Sequence, residues 1–165
     1  DLPECFIIEQ RLRELMDIPV FHDDQHGTAI ISTAGLINAC HIAGKRLDEV
    51  KVVVNGAGAA AIACTELIKA MGVQHDNVLI CDRTGVIHQG REGVNQWQSA
   101  HAASTDRRTL TEALVGADVF LGLSAGGVLK PEYLEKMAEK PLIMALANPY
   151  PEIMPDLAEQ ARPER

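Results

Sequence analysis

Between Val50 and Gly72 the chain reads VKVVVNGAGAAAIACTELIKAMG, a β-branched run that stops at a glycine pair and becomes a helical pattern. Val50, Val52, Val53 and Val54 are almost continuously apolar, which suits a strand buried on both faces of a parallel sheet. Beyond them, Gly56-Ala57-Gly58-Ala59-Ala60-Ala61 fits G-x-G-x-x-G/A. Ile62, Leu67, Ile68 and Met71 carry the pattern on as a helix that Gly72 closes. The spacing has a physical meaning. Gly56 permits a tight turn, Gly58 lets a pyrophosphate approach the backbone, and Ala61 lets the helix sit close to the strand. The phosphates then face the free N–H groups and the positive end of the helix dipole.

Glycine and alanine are common, so context decides what such a motif means. Here a second strand, Asn77 to Cys81, follows and ends in Asp82, 26 positions after Gly56. That is close to the ~20 expected for an acid that accepts hydrogen bonds from an adenosine ribose. Asp82 also suits a turn-forming position before Arg83-Thr84-Gly85. Asp82 favours NAD by repelling a 2′-phosphate, whereas Arg83 can accommodate one.

A chain of 165 residues is the size of one ordinary domain. With 47% apolar residues but only 4% aromatic ones, its core must be aliphatic and alanine-rich, as in α/β layers. The net charge of −8 argues against nucleic acid or an anionic membrane surface as main partner. Cys5, Cys40, Cys64 and Cys81 form no C-x-x-C pair and read as small hydrophobes in a reducing compartment. No stretch has the ~18 apolar residues of a membrane span and no signal peptide opens the chain, so a cytoplasmic location is expected. The chain starts on Asp1 and ends just after a Pro-rich segment, which reads as a piece of a longer protein.

Taken in order, Cys5, Ile8, Leu12 and Leu15 recur at helical spacing after Pro3 and Glu4, with Glu9, Arg11, Arg13 and Glu14 on the other face. An amphipathic helix packed through its apolar stripe is expected. His22-Asp23-Asp24-Gln25-His26-Gly27-Thr28 follows, with two carboxylates at the start of a helix from about Gly27 to Ala43. Asp24 suits an N-cap. It equally suits a ligand to Mg²⁺ or Mn²⁺, since hard cations are often held by one or two carboxylates plus substrate. His22 and His26 suit loop or cap positions. The helix itself is apolar almost all round and should be buried between layers. Lys45, Arg46, Asp48 and Glu49 form an exposed link. His88 to Arg108 reads as a polar surface excursion with a helical piece around Gln96 to Ala103. A helix over Thr109–Gly116, a strand over Asp118–Leu121, a glycine-rich loop to Gly127, a helix over Pro131–Ala138 and a strand over Pro141–Ala147 complete the pattern.

Alternating strands and helices predict a doubly wound parallel sheet, Rossmann-like, with helices on both faces and right-handed crossovers. Ligands in such sheets sit at the carboxyl ends of the strands. Gly56 to Ala60, Asp82, Ser124 to Gly126 and Asn148 therefore belong around one crevice.

The ordered segments FHDDQHGTA, NGAGAAAIA, CDRTGVI, GLSAGGVL and ALANPYPEI resemble the NAD(P)-binding domain of malic enzymes, in particular the bacterial type often fused to a phosphotransacetylase-like domain. The resemblance spans essentially the whole chain. It implies oxidative decarboxylation of malate to pyruvate and CO₂ with NAD(P)⁺ and Mg²⁺ or Mn²⁺, the metal polarising the C2 oxygen and stabilising the enolate. It implies Asp24 as metal ligand with Asp23 beside it. Gly56, Gly58, Ala59 and Ala60 would hold the pyrophosphate, Asp82 the adenosine side, Ser124 and Ala125 the loop over the cofactor, and Asn148 the substrate near the nicotinamide. It leans slightly towards NADP and implies a homo-oligomer. The family's catalytic tyrosine and lysine lie in an N-terminal domain, so no catalytic residue falls within this chain, and the chain alone should not turn over malate. The family's E-D-[IL]-x-x-P-x-C-F start is shortened here to Asp1-Leu2-Pro3, which leaves Asp1 open as a metal ligand. A non-catalytic NAD(P)-binding sensor and an amino-acid dehydrogenase domain are the alternatives.

Overall fold

The computed structural model describes residues 3–163, so Asp1 lies outside the described residues. Its centre is a five-stranded sheet in the order β3-β2-β1-β4-β5, built from β1 (Val52–Asn55), β2 (Val78–Asp82), β3 (Gly85–Val86), β4 (Val119–Gly122) and β5 (Leu142–Ala145). β2, β1, β4 and β5 are parallel, with Val54 paired to Ile80 on one side and to Leu121 on the other. β3 runs antiparallel along the edge of β2. The sequence pattern suggests only a tight turn over Arg83 to Ile87; the reversal instead zips Gly85 and Val86 back onto the end of β2.

Side-chain alternation divides two cores. Val52, Val54, Ile80 and Leu121 pack with α2 (Asp23–Ala43) and α3 (Ala59–Ala70) on one face. Val53, Leu79, Cys81 and Phe120 pack with α5 (Leu110–Leu114), α6 (Pro131–Leu134) and α7 (Pro155–Ala161) on the other. Both faces of the sheet are therefore covered, as the valine-rich strands require. All four cysteines are free. Burial pushes the thiol of Cys64 up to about 11 and that of Cys81 up to about 12, which keeps both protonated and inert.

Four expectations need correction. α2 begins at Asp23 with His22 as its N-cap, so Asp24 stands in the first turn and does not cap the helix. The helix is not buried all round. Ala29, Leu36 and Cys40 face the core, whereas Ile30, Ile31 and Ile42 are exposed. In α1 (Glu4–Leu15), likewise, Ile8, Leu12 and Leu15 are exposed and the one buried residue is Glu9. Glu9 turns inward because polar partners wait there. His26 Nε2 lies 2.6 Å from its Oε1, Arg13 donates to the same oxygen at 2.9 Å and Gln25 donates to Oε2 at 3.3 Å. Phe6 stacks on Trp97 with centroids 5.4 Å apart and anchors the start of the helix. Lys45, finally, is held inward by the Asp118 carboxylate at 2.6 Å, which also accepts from the Lys51 backbone N–H.

Candidate functional site: the crevice at the ends of β1 and β4

From β1 the chain crosses to β2 on one side, and later returns to β4 on the other. The strand order thus reverses between β1 and β4, and their carboxyl ends part to leave an opening. Gly56 forms its floor with φ +133°, and a side chain there would collide with the carbonyl oxygen of Leu123. Only glycine meets both demands. The two loops are tied across the opening, since Leu123 N–H donates to the Asn55 carbonyl and the Asn55 amide donates to Ser124 Oγ, each at 2.8 Å.

Gly58 differs in kind. Its φ of −84° suits any residue, and nothing in the chain lies within 4 Å of where its Cβ would be. It is exposed and N-caps α3 without a side-chain bond. The first bond of the helix runs from Ile62 N–H to the Gly58 carbonyl. The N–H groups ahead of it, from Ala59 to Ala61, are those a helix leaves without internal partners. A bare glycine beside free amides is what a diphosphate needs to reach the helix end.

A cleft of about 820 Å³ opens beside that turn along the strand ends, lined by Gly56, Ala57, Asp82, Arg83, Ser124 and Ala125 among others, whereas Gly58, Ala59 and Ala60 stand outside its lining. Asn148 is not in it. It lines an adjoining groove of about 660 Å³ that shares Ser124 and Ala125 with the cleft and includes Lys130 and Tyr150. The loop of Ser124 and Ala125 therefore forms the wall between the two spaces. Asp23 and Asp24 line neither, and both are exposed in the first turn of α2. Among the described residues no group of three His, Cys, Asp or Glu side chains could hold a metal ion. Asp24 can thus offer a carboxylate to a cation, but the described residues do not enclose one.

At the end of β2, Asp82 does two things at once. Its Oδ1 accepts from Thr84 N–H at 2.8 Å, the Thr84 hydroxyl at 2.9 Å and Gly85 N–H at 3.1 Å. Its Oδ2 pairs with Arg91 at 2.5 Å. Partial burial works to raise its pKa, but the Arg91 hydrogen bond and the Thr84 donors outweigh it and hold the carboxyl below its usual value. The turn-forming role is therefore realised, and the carboxylate is already neutralised by Arg91. Arg91 reaches the Gly85 carbonyl and the Thr84 hydroxyl as well. Arg83 is exposed on the cleft wall.

Sequence patterns did not single out three residues of this site. Arg91 lies in the excursion read as plain surface; its signal is its spacing across the β2–β3 hairpin. Gln98 donates to the Ala57 carbonyl at 3.0 Å and so steadies the glycine turn. It belongs to the capping box of α4 (Gln96–Ser99), and Asn95-x-x-Gln98 is a legible form of that box. Glu152 is fully buried and accepts from Ser124 N–H at 2.9 Å and Ala147 N–H at 3.1 Å, which joins the loops after β4 and β5.

A parallel sheet whose strand order reverses beside a Gly-x-Gly turn and an open helix end defines a Rossmann-like dinucleotide-binding domain. The malic enzyme NAD-binding domain family matches residues 25–160, and the chain belongs to that family. It is 64% identical over 155 residues to an NADP-dependent malic enzyme of Rhizobium meliloti, covering 93% of this chain and 20% of the relative. It is 56% identical over 163 residues to an NAD-dependent malic enzyme of the same organism, covering 98% and 21%. The solved NAD-dependent malic enzyme of Thermotoga maritima superimposes with a TM-score of 0.89 at 46% identity, over 97% of this chain and 44% of that one. The chain thus spans about a fifth of the length of the first two relatives. Among the described residues, no helix is long and apolar enough to cross a membrane.

Proposed function

We propose that this chain is the cofactor-holding domain of a longer enzyme that oxidises malate and releases pyruvate and CO₂. The observation that carries the reading is the pairing of Gly56, crowded by Leu123, with Gly58, which nothing in the chain crowds. The first glycine is explained by the fold and the second by a ligand. Membership of the malic enzyme family supplies the reaction.

Gly58 and the N–H groups of Ala59 and Ala60 receive the diphosphate, and the adenosine end extends towards Asp82 and Arg83. Ser124 and Ala125 close over the middle of the cofactor, and Asn148 faces the substrate end from the adjoining groove. When bound, the cofactor supplies the hydride acceptor and the domain supplies its orientation. Asp24, with Asp23 beside it, offers one carboxylate to Mg²⁺ or Mn²⁺; the other ligands come from outside the described residues.

NADP is the preferred cofactor in this reading. An acid at the end of β2 disfavours a 2′-phosphate only while its charge is unopposed. Arg91 opposes it, and the Thr84 hydroxyl and exposed Arg83 stand beside it. The bare isoleucines of α1 and α2 suit contact with the remaining domains or a second copy of the enzyme. Four free thiols suit a cytoplasmic setting.

The test is turnover by the full-length protein that contains this chain, with malate, Mn²⁺ and either cofactor. One pyruvate per reduced cofactor is expected, with higher kcat/KM for NADP⁺, and no pyruvate from the 165-residue chain alone. Cofactor binding without turnover by the full-length protein would make this a binding module and overturn the enzyme.

A further inference from the structure

At the opposite end of the sheet from the cleft, the last turn of α3 carries Lys69. Its Nζ lies 3.1 Å from Nδ1 of His75 and 3.3 Å from Nδ1 of His101. An ammonium only donates, so both Nδ1 atoms accept and both rings carry their proton on Nε2. For His75 that proton meets the Ala102 carbonyl at 3.3 Å. For His101 it is buried without a hydrogen-bond partner, and Glu66 Oε1 stands 3.6 Å away. Two imidazoles are weak partners for a purely structural ammonium, since carboxylates and carbonyls hold one better. The nearby Asp76 carboxylate is turned instead to the backbone N–H of Ser104 at 2.9 Å. Burial pushes the Lys69 ammonium down to about 8, against a weaker pull from Asp76.

We propose that Glu66, His101 and Lys69 form an activated-amine site at which Lys69 accepts an acyl group from an acyl thioester or acyl phosphate. Lys69 Nζ passes a proton to His101 Nδ1, and the imidazolium so formed faces the Glu66 carboxylate, which gives the orphaned Nε2–H its counter-charge. The free amine then forms an N–C bond to the acyl carbonyl carbon. The C–S or C–O bond of the donor breaks with its electron pair leaving on thiolate or phosphate, and the second amine proton goes to His75 Nδ1. The product is a neutral amide and nothing is oxidised or reduced.

At about pH 7.5, a lysine of ordinary pKa is neutral in only about one molecule in a thousand, and the burial of Lys69 raises that share substantially. The test incubates the purified protein with acetyl-CoA and, separately, with acetyl phosphate, and follows each lysine by peptide mass spectrometry. Lys69 should be acylated at least about tenfold faster than the exposed Lys130, Lys136 and Lys140 with one donor or both, and the effective donor identifies the source. His101→Gln and Glu66→Gln should each slow Lys69 several-fold without bringing it to the level of the exposed lysines, because burial still favours its free amine. Where His101→Gln fails to fold, Glu66→Gln decides, since Glu66 is exposed on α3 and an unchanged Lys69 rate there would overturn the proposal; in the unaltered protein the rate–pH profile should break near 8 at Lys69. Uniform labelling of the lysines with both donors, or a break only above about pH 10, would overturn the proposal.

Discussion

Glu152→Gln removes one charge and almost no volume, yet it strikes the joint between the loops after β4 and β5. The carboxylate offers one oxygen to Ser124 N–H and the other to Ala147 N–H. A carboxamide keeps one acceptor oxygen, and its NH₂ group then faces the other backbone N–H as donor against donor. Losing one hydrogen bond to a charged acceptor and stranding one donor costs about 2–4 kcal/mol in total. Repacking offers no escape, because a Cβ at Gly122 would already touch the Glu152 carboxylate and the side chain is fully buried. Urea unfolding of the two proteins should show the loss as a lower midpoint at unchanged slope, and thermal unfolding should show a fall in Tm on the order of 10 °C. Cofactor affinity should fall as well, since Ser124 moves with its loop. A midpoint within error of the parent protein would refute the claim that this carboxylate joins the two loops.

The two glycines of the turn should separate in their effects. Gly56→Ala should destabilise the fold, through its left-handed φ and the Leu123 carbonyl, whereas Gly58→Val should leave the unfolding midpoint nearly unchanged and cost at least about tenfold in NADP⁺ affinity. Arg91→Leu should lower the preference for NADP⁺ over NAD⁺, read as the ratio of their dissociation constants; an unchanged ratio would remove Arg91 from cofactor choice. For Asp82 the folded pKa lies below its ordinary 3.8, so its contribution to stability is complete above that value and is lost as pH falls through the lower folded value. Asp82→Asn should therefore flatten the acid limb of stability below about pH 4, checked by urea midpoints across that range. Asp24→Ala should leave unfolding unchanged, because Asp24 is exposed, but should sharply lower Mn²⁺-dependent turnover of the full-length enzyme.

The fold was largely legible because its strands are short apolar runs punctuated by glycine. Val52 to Asn55 and Val78 to Asp82 stand almost where the valine runs place them. The edge strand at Gly85–Val86 was not, because two residues carry no periodicity and their pairing comes from the Asp82 turn. Helix existence was plain, but which face each helix buries was not. Apolar residues on α1 and α2 predict burial, whereas Glu9 is the buried side chain of α1 because His26, Arg13 and Gln25 gather around it. Such long-range polar matching leaves no local pattern. The same holds at the site. Gly56, Gly58 and Asp82 follow a local motif, whereas Arg91, Gln98 and Glu152 act through partners 9, 41 and 28 residues away.

The most direct test of the crevice is a calorimetric titration of the protein and its Gly58→Val variant with NADP⁺ and with NAD⁺. Saturable binding to the parent protein, tighter for NADP⁺ and lost in the variant, is expected of a diphosphate seated on Gly58 at the end of α3. No binding of either cofactor to the parent protein, or equal binding to the variant, would contradict it.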